Sequence, residues 1–187
     1  MLPVLQRLLM QSGARNGTRA LILAPTRELA AQVAADAEKM ASFTHFKVGM
    51  ITGGHSLQQQ RALLRKDPEI LVATPGRMLE HVQQNAAALG DLEMLVLDEA
   101  DRMLEMGMIE DVTRIMTACN QLRQTLLFSA TVPAAVRALS REMLRDVRTI
   151  NISRTSDEQS TIRQQFVLAD DDRHKEKLLL WLLANET

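Results

Sequence analysis

Short apolar runs alternate with helical patterns along most of the chain. The runs at 21–23, 95–97 and 126–128 are apolar throughout, which is typical of strands buried on both faces of a parallel sheet. This alternation predicts right-handed βαβ units, and therefore an α/β domain of three layers around a mostly parallel sheet. The predicted strands lie at 19–24, 46–51, 69–73, 93–97, 124–129 and 148–152, and the predicted helices between them at 27–42, 56–65, 75–85, 106–119 and 133–144.

The first ten residues have an amphipathic pattern of their own. Leu2, Leu5, Leu8 and Leu9 lie on one helical face, yet no residue before them is suited to cap a helix. The chain is therefore expected to begin inside a helix.

The pattern changes again after residue 152. The stretch 153–160 has no apolar residue and is predicted to be a linker, followed by a strand at 162–168 and a helix at 173–183. One strand and one helix cannot bury a core. The expected organisation is therefore a partial domain over 1–152, the linker over 153–160 and the incomplete start of a second domain over 161–187.

The composition narrows the class of protein. With 46% hydrophobic and 24% charged residues, the chain is expected to be globular and not disordered. No apolar run approaches the ~18 residues of a membrane span, so no membrane partner is expected. The single cysteine, Cys119, is typical of a reducing compartment, which favours the cytoplasm. The histidines are scattered without zinc spacing and are predicted to be surface or structural residues (His45, His55, His81 and His174).

The net charge of −1 conceals an uneven distribution. Residues 1–66 carry nine Lys or Arg and three Asp or Glu, whereas residues 67–111 carry two and eleven. One interpretation is an anionic partner on one surface and a cation near the acids. The other interpretation is that both charge runs are ordinary solvated faces.

An acidic tetrapeptide directly follows the apolar strand at 93–97. Asp98, Glu99, Ala100 and Asp101 have the arrangement of an acidic Walker-B motif, in which an Asp holds Mg²⁺ and a Glu activates water. The alternative for this feature alone is an exposed acidic loop at the end of a strand.

Polar or glycine-rich motifs follow the other predicted strands as well, except the last. They read PTRELA at 25–30, GG at 53–54, TPGR at 74–77 and SAT at 129–131. Each has a structural interpretation as a helix cap or a turn. A capped helix start beside an arginine is also an anion site, and the carboxyl ends of parallel strands meet at one edge of a sheet.

This ordered set of motifs closely resembles the first RecA-like domain of DEAD-box RNA helicases. The resemblance covers residues 1 to about 152, and the tail resembles the start of the second RecA-like domain of that family. Asp101, where the DEAH group has His, favours the DEAD-box group. The resemblance implies a RecA-like, P-loop NTPase type of fold, ATP and Mg²⁺ as cofactors and RNA as partner, while it indicates no particular protein partner.

The resemblance also implies roles for individual residues. Asp98 would hold Mg²⁺ through water, Glu99 would position the hydrolytic water, and Asp101 would pair with the segment Ser129, Ala130 and Thr131 and so link the nucleotide site to domain closure. A single RNA strand would be bound mainly through phosphate and 2′-OH groups, with little dependence on sequence. The residues implied to line its path are Pro25, Thr26, Arg27, Gly53, Gly54, Thr74, Pro75, Gly76 and Arg77.

One departure from the family pattern concerns the phosphate-binding loop. No A-x-x-G-x-G-K-[ST] motif is present, since no lysine precedes Lys39 and no glycine precedes Gly13. The expected fold therefore lacks the phosphate-loop strand. The leading hypothesis is an incomplete catalytic core of an ATP-dependent RNA helicase, inactive by itself. The alternatives are a truncated module that binds RNA or a partner without ATPase activity, and a DNA helicase or other Walker-B ATPase.

Overall fold

The structure is a computed structural model that describes residues 1–10, 17–152 and 166–185. It forms two compact units, Met1–Val147 and Arg148–Thr187. The elements of the first unit are α1 (Leu2–Met10), β1 (Ala20–Leu23), α2 (Arg27–Ala41), β2 (Val48–Ile51), α3 (Leu57–Leu64), β3 (Ile70–Ala73), α4 (Pro75–Gln83), β4 (Met94–Leu97), α5 (Ala100–Glu105), α6 (Ile109–Ala118), β5 (Gln124–Leu127) and α7 (Ala134–Met143). The described part of the second unit contains α8 (Asp172–Asn185).

The strands of the first unit form a parallel sheet in the order β2-β3-β1-β4-β5. Alternate residues of each buried strand point to opposite faces. Leu21 and Leu23 join a core cluster with α4 and α6, whereas Ala20 and Ile22 join a second cluster with α1 and α2. Helices therefore cover both faces, which confirms the predicted three-layer α/β architecture.

An internal ion pair lies where the central strands begin. Arg19, directly before β1, places Nε 2.6 Å from Oε1 of Glu93, directly before β4, and both side chains are buried. The same guanidinium donates from Nη2 to the carbonyl of Leu8 at 3.1 Å. Because Leu8 lies in the last turn of α1, this contact attaches the predicted N-terminal helix to the sheet. That helix buries Leu5 and Leu8, but of the predicted apolar face it leaves Leu2 and Leu9 exposed.

β5 has only one neighbouring strand among the described residues. It pairs with β4, and its residues are exposed or partly exposed while those of β4 are buried. Phe128, which follows it, is 54% exposed.

The strand predicted at 148–152 is wrong. These residues have no strand conformation, and Ile150 and Ile152 are 87% and 90% exposed. A strand needs a ladder partner, and none is formed by this segment. Residues 166–168 are not a strand either, while 162–165 and the predicted linker lie outside the described residues. α8 confirms the helix predicted at 173–183, and the predicted domain limits stay predictions. Among the described residues, no helix is long and apolar enough to cross a bilayer.

The structure predicts that Cys119 reacts slowly with thiol reagents. Its side chain is buried and Sγ donates to the carbonyl of Ile115 at 3.2 Å. Burial, only partly offset by Arg123, raises the pKa of Cys119 to about 11. The reactive thiolate is therefore rare, and labelling by a disulfide reagent at about pH 8 should be at least ~100-fold slower in the native chain than in urea. Cys119→Ser is the blank. A native rate within about threefold of the unfolded rate would contradict this packing.

Candidate active site and nucleic-acid interface

The motifs noted in the sequence emerge at one edge of the sheet, because all five strands are parallel. The PTRELA, GG and TPGR motifs follow β1, β2 and β3, which are three adjacent strands. The acidic tetrapeptide and the SAT motif follow β4 and β5, the remaining pair. The two groups meet between β1 and β4, where the backbone N–H of Asp98 donates to the carbonyl of Leu23 at 3.0 Å.

Asp98 and Glu99 lie side by side at the end of β4, and both are partly exposed. Oδ1 of Asp98 accepts the backbone N–H of Glu99 at 3.1 Å. Oε2 of Glu99 lies 3.6 Å from Nη1 of Arg102. Glu99 has φ 53° and ψ 54°, a left-handed conformation that costs a non-glycine residue about 1 kcal/mol or more. Such strain is a feature of functional sites, and here it turns the chain sharply from β4 into α5.

The helix α5, which the sequence pattern did not indicate, begins beside the end of β5. The backbone N–H of Ala100 donates to the carbonyl of Phe128 at 2.9 Å. The next N–H, that of Asp101, donates to Oγ of Ser129 at 3.3 Å. Two orphan N–H groups of the helix start are thereby satisfied by the loop after β5.

Asp101 is bonded to Thr131 by a pair of short hydrogen bonds. Oδ2 of Asp101 accepts the backbone N–H of Thr131 at 2.9 Å and its hydroxyl at 2.8 Å. Partial burial would raise the pKa of Asp101, but these bonds, with smaller contributions from Ser129 and the backbone of Arg102, lower it below its usual value. Ala130 is exposed between the two bonded residues. The structure therefore brings together the residues that the resemblance paired, with Asp101 held as a carboxylate.

The carboxylates at this edge suit a metal ion whose ligands are mostly waters and nucleotide phosphates, with few ligands from the protein. Among the described residues, no group of three or more His, Cys, Asp or Glu is arranged to hold a metal ion. Mg²⁺ is commonly bound by one or two carboxylates together with waters and nucleotide phosphates. Asp98 fits that requirement, since its carboxylate is partly exposed at the end of β4.

The PTRELA and GG motifs contact each other. Thr26 caps α2 by accepting the N–H of Leu29 at 3.2 Å, and Arg27, which follows, is exposed. The Arg27 guanidinium lies against the backbone of Gly54, where any Cβ would collide with it, and Gly54 has φ +84°. The positive φ is what favours glycine at this position, since the tip of the exposed Arg27 side chain could move aside. Pro25 is buried, and Gly53 is partly exposed beside Gly54.

The TPGR motif forms the start of α4, with Thr74 at the N-cap and Pro75 in the first turn. Thr74 makes no side-chain capping bond, Pro75 is buried, and Gly76 is exposed. Arg77 reaches back to the GG loop, since its Nη1 donates to the carbonyl of His55 at 3.0 Å. Its Nε forms an ion pair with Glu80 at 3.2 Å.

Behind Arg77 lies a buried polar pair, Gln60 and His81, which the sequence did not indicate. Gln60 donates from Nε2 to the carbonyl of Thr52 at 2.7 Å. Its Oε1 lies 2.9 Å from Nε2 of His81 and 3.4 Å from Nη1 of Arg77. The available signal was weak: Gln60 lies four residues before buried Leu64 on α3, a spacing that places it on the core-facing side of the helix.

The sequence matches the family described as DEAD/DEAH box helicase over residues 1–139. This span is well over half of the chain, and the chain belongs to that family. The assignment agrees with the geometry at the sheet edge, where the acidic motif and the three basic and glycine-rich motifs occupy neighbouring strand ends.

Relatives of known name and structure give the same result. The chain is 40% identical over 168 residues to the probable ATP-dependent RNA helicase ddx27 of Dictyostelium discoideum, covering 89% of this chain and 22% of that protein. It is 38% identical over 188 residues to the ATP-dependent RNA helicase SrmB of Haemophilus influenzae, covering 100% of this chain and 43% of that protein. The crystal structure of a DEAD box protein from the hyperthermophile Methanococcus jannaschii superposes with a TM-score of 0.73 at 36% identity, covering 94% of this chain and 47% of that chain.

These comparisons support the RecA-like fold expected from the sequence. The chain spans less than half the length of each of these three proteins.

The buried pair predicts a pH dependence of stability. Burial, followed by the charge of Arg77, lowers the pKa of His81 below its ordinary 6.5, with Glu80 opposing and Arg61 adding to the effect. The unfolded chain therefore takes up a proton at a higher pH than the folded chain does. The contribution of His81 to stability is fully present above about pH 6.5 and is lost as the pH falls through that value toward the folded pKa.

The measurement is the urea midpoint between about pH 7.5 and about pH 5. It should fall more steeply for the wild-type chain than for His81→Gln, because glutamine does not titrate. His45→Gln, which changes an exposed histidine, is the matched control for the loss of one histidine. Equal slopes for the wild type and His81→Gln would show that His81 does not carry the effect.

Proposed function

We propose that this chain is part of an ATP-dependent RNA helicase of the DEAD-box type, in which ATP hydrolysis is coupled to local unwinding of RNA duplexes. The observation that carries the proposal is the division of one sheet edge. Three adjacent strands present arginines, glycines and helix starts, and the two remaining strands present carboxylates with a bonded Ser-Ala-Thr loop. Location in the cytoplasm is part of the same proposal.

The acidic half of the edge would serve the nucleotide. Mg²⁺-ATP supplies the phosphoryl group that water attacks. Asp98 would hold the Mg²⁺ through water, and Glu99, beside it, would orient the attacking water and accept its proton. Asp101, bonded to Thr131, would transmit the state of the site to the loop after β5, and so to domain closure. Because this loop also satisfies the start of α5, a shift of one would displace the other.

The other half would bind a single RNA strand. Arg27 and Arg77 flank the Gly53-Gly54 loop, and the starts of α2 and α4 present backbone N–H groups at the same edge. These groups suit phosphate and 2′-OH contacts, which carry no base information. The surface is therefore proposed to accept RNA of any sequence.

The second candidate is a module that binds RNA or a partner without ATPase activity. What favours it is that residues 1–187 contain no phosphate-binding loop motif. We expect no ATP turnover from the 187-residue chain by itself for that reason. Phosphate release by this chain above that of a blank without protein would contradict the expectation. RNA binding by the chain without ATP turnover would agree with the second candidate function.

Glu99→Gln tests the hydrolytic half. The test uses a chimaera, in which residues 1–152 replace the matching segment of the Methanococcus jannaschii DEAD box protein. The remainder of that protein is intended to complete the nucleotide site. RNA-stimulated phosphate release should fall at least ~100-fold, the range for loss of a positioned base, while ATP-dependent RNA binding persists. Glu105→Gln, at the exposed end of α5, is the matched control. Hydrolysis within about threefold of the parent chimaera would remove Glu99 from this role.

Arg27→Ala and Arg77→Ala test the RNA half, with Lys39→Ala as the control. Lys39 is exposed near the C-terminal end of α2. The control substitution therefore removes one positive charge, as the arginine variants do, but at a distance from the sheet edge. With about three to five phosphates contacted, log K against log salt should have a slope of roughly −0.7 per phosphate, and each arginine variant should make it shallower. Both should weaken unrelated single strands equally, as followed by fluorescence anisotropy. Strong preference between two strands of one length would contradict the proposal.

A further inference from the structure

We infer that Gln60 and His81 are positioning residues, which hold Arg77 and the Gly53-Gly54 loop in the arrangement that binds an RNA phosphate. This inference rests on the proposed function, because it assigns the two residues a task at the same site. Neither reaches the exposed edge: Gln60 is 4% exposed and His81 is 0% exposed. They are therefore expected to act on RNA only through the residues that they hold.

The directions of the hydrogen bonds follow from the Gln60 amide. Its Nε2 donates to the carbonyl of Thr52, so its Oε1 must be the atom that faces His81 and Arg77. An oxygen accepts, and the nitrogen of His81 that it meets must therefore donate. His81 therefore carries a proton on Nε2, and its Nδ1 has no hydrogen-bond partner among the described residues. A second proton on this buried ring would lack an acceptor and would add a charge beside Arg77.

The pair connects the two motifs that flank it. Thr52, whose carbonyl is bonded by Gln60, directly precedes Gly53. Arg77 is bonded at Nη1 to the carbonyl of His55, at the other end of the same loop, and to Gln60. The Gln60 amide thus holds the start of the loop directly, at Thr52, and the end of the loop through Arg77, which bonds His55. Rotation of the Gln60 amide would release Thr52 and Arg77 together.

The remaining donors of Arg77 point to what this arrangement achieves. Its Nε is paired with Glu80 and its Nη1 with the loop, which leaves Nη2 without a protein partner among the described residues. The guanidinium is therefore fixed in orientation while it keeps one N–H-bearing nitrogen for a ligand. A side chain fixed in its binding conformation loses less entropy when it binds, which raises affinity without a new contact.

The test compares variants of the 187-residue chain in binding a labelled single-stranded oligoribonucleotide, with urea unfolding as the check on folding. His81→Phe keeps a ring in the cavity and removes the donor, whereas His81→Gln places an amide N–H near the position of Nε2. His81→Phe should weaken RNA binding about fivefold, the size expected for one lost hydrogen bond, and His81→Gln should restore it to within about twofold. Gln60→Met should weaken binding by at least as much, because it removes all three hydrogen bonds of the amide.

A double-mutant cycle separates positioning from general packing. If His81 acts in part through Arg77, His81→Phe should cause a clearly smaller loss in a chain that already carries Arg77→Ala, the remainder being due to the Thr52 contact. An equal loss in both backgrounds would show a merely structural role and would overturn the inference. So would wild-type affinity in both His81→Phe and Gln60→Met. If Arg77→Ala itself leaves RNA binding unchanged, the result contradicts the proposed role of Arg77 in RNA binding, and with it the inference that depends on that role.

A measurement on the wild-type chain covers the case in which the variants do not fold. The ¹⁵N resonances of the His81 ring report which nitrogen carries the proton. We expect the neutral ring with the proton on Nε2 at about pH 7, because burial and the charge of Arg77 lower the pKa of His81 below 6.5. A neutral ring with its proton on Nδ1 would mean that Oε1 of Gln60 does not accept from His81, and the inference would be overturned.

Discussion

The pairing of β1 with both of its neighbours is the constraint on which the site depends. Ala20 lies opposite Ile70 and Met94, and Leu23 lies opposite Ala73 and Leu97, so three buried strands begin and end at the same level. The carbonyl of Arg19 accepts the N–H groups of Glu93 and Met94, and its side chain pairs with Glu93. Because a slip of one residue would reverse every buried side chain, this register also determines where the loops after β1, β3 and β4 emerge.

The same register keeps the residues proposed for Mg²⁺-ATP apart from those proposed for RNA. β1 ends in the motif proposed for RNA, and β4, its neighbour, ends in the acids proposed for Mg²⁺-ATP. The bond from the N–H of Asp98 to the carbonyl of Leu23 joins the two strand ends at the residue that bears the carboxylate and two residues before Pro25 starts the other motif. This hydrogen bond of the sheet thus connects the two halves of the edge directly.

The sequence predicted features that depend on neighbouring residues, and it missed features that depend on contacts between residues distant in the sequence. The five observed strands and the loops after them could be predicted because apolar runs and short polar motifs are local features. The segment 148–152 has the same local pattern, but a strand also needs a partner, which no local pattern reveals. α5 was missed because it is short and starts at the left-handed Glu99, not at a recognisable cap. The Gln60–His81 bond spans 21 positions between two helices, and only the folded chain brings them together.

The left-handed backbone at Glu99 sets stability against function at one position. Glycine adopts this conformation without steric cost, so the fold alone would be better served by a residue with no side chain. The proposed role in activating water requires a carboxylate side chain. Glutamate at this position therefore retains the backbone strain that glycine would remove. Selection for a more stable chain and selection for turnover would therefore favour different residues here, and sequences free of the catalytic requirement would be expected to drift toward glycine or asparagine.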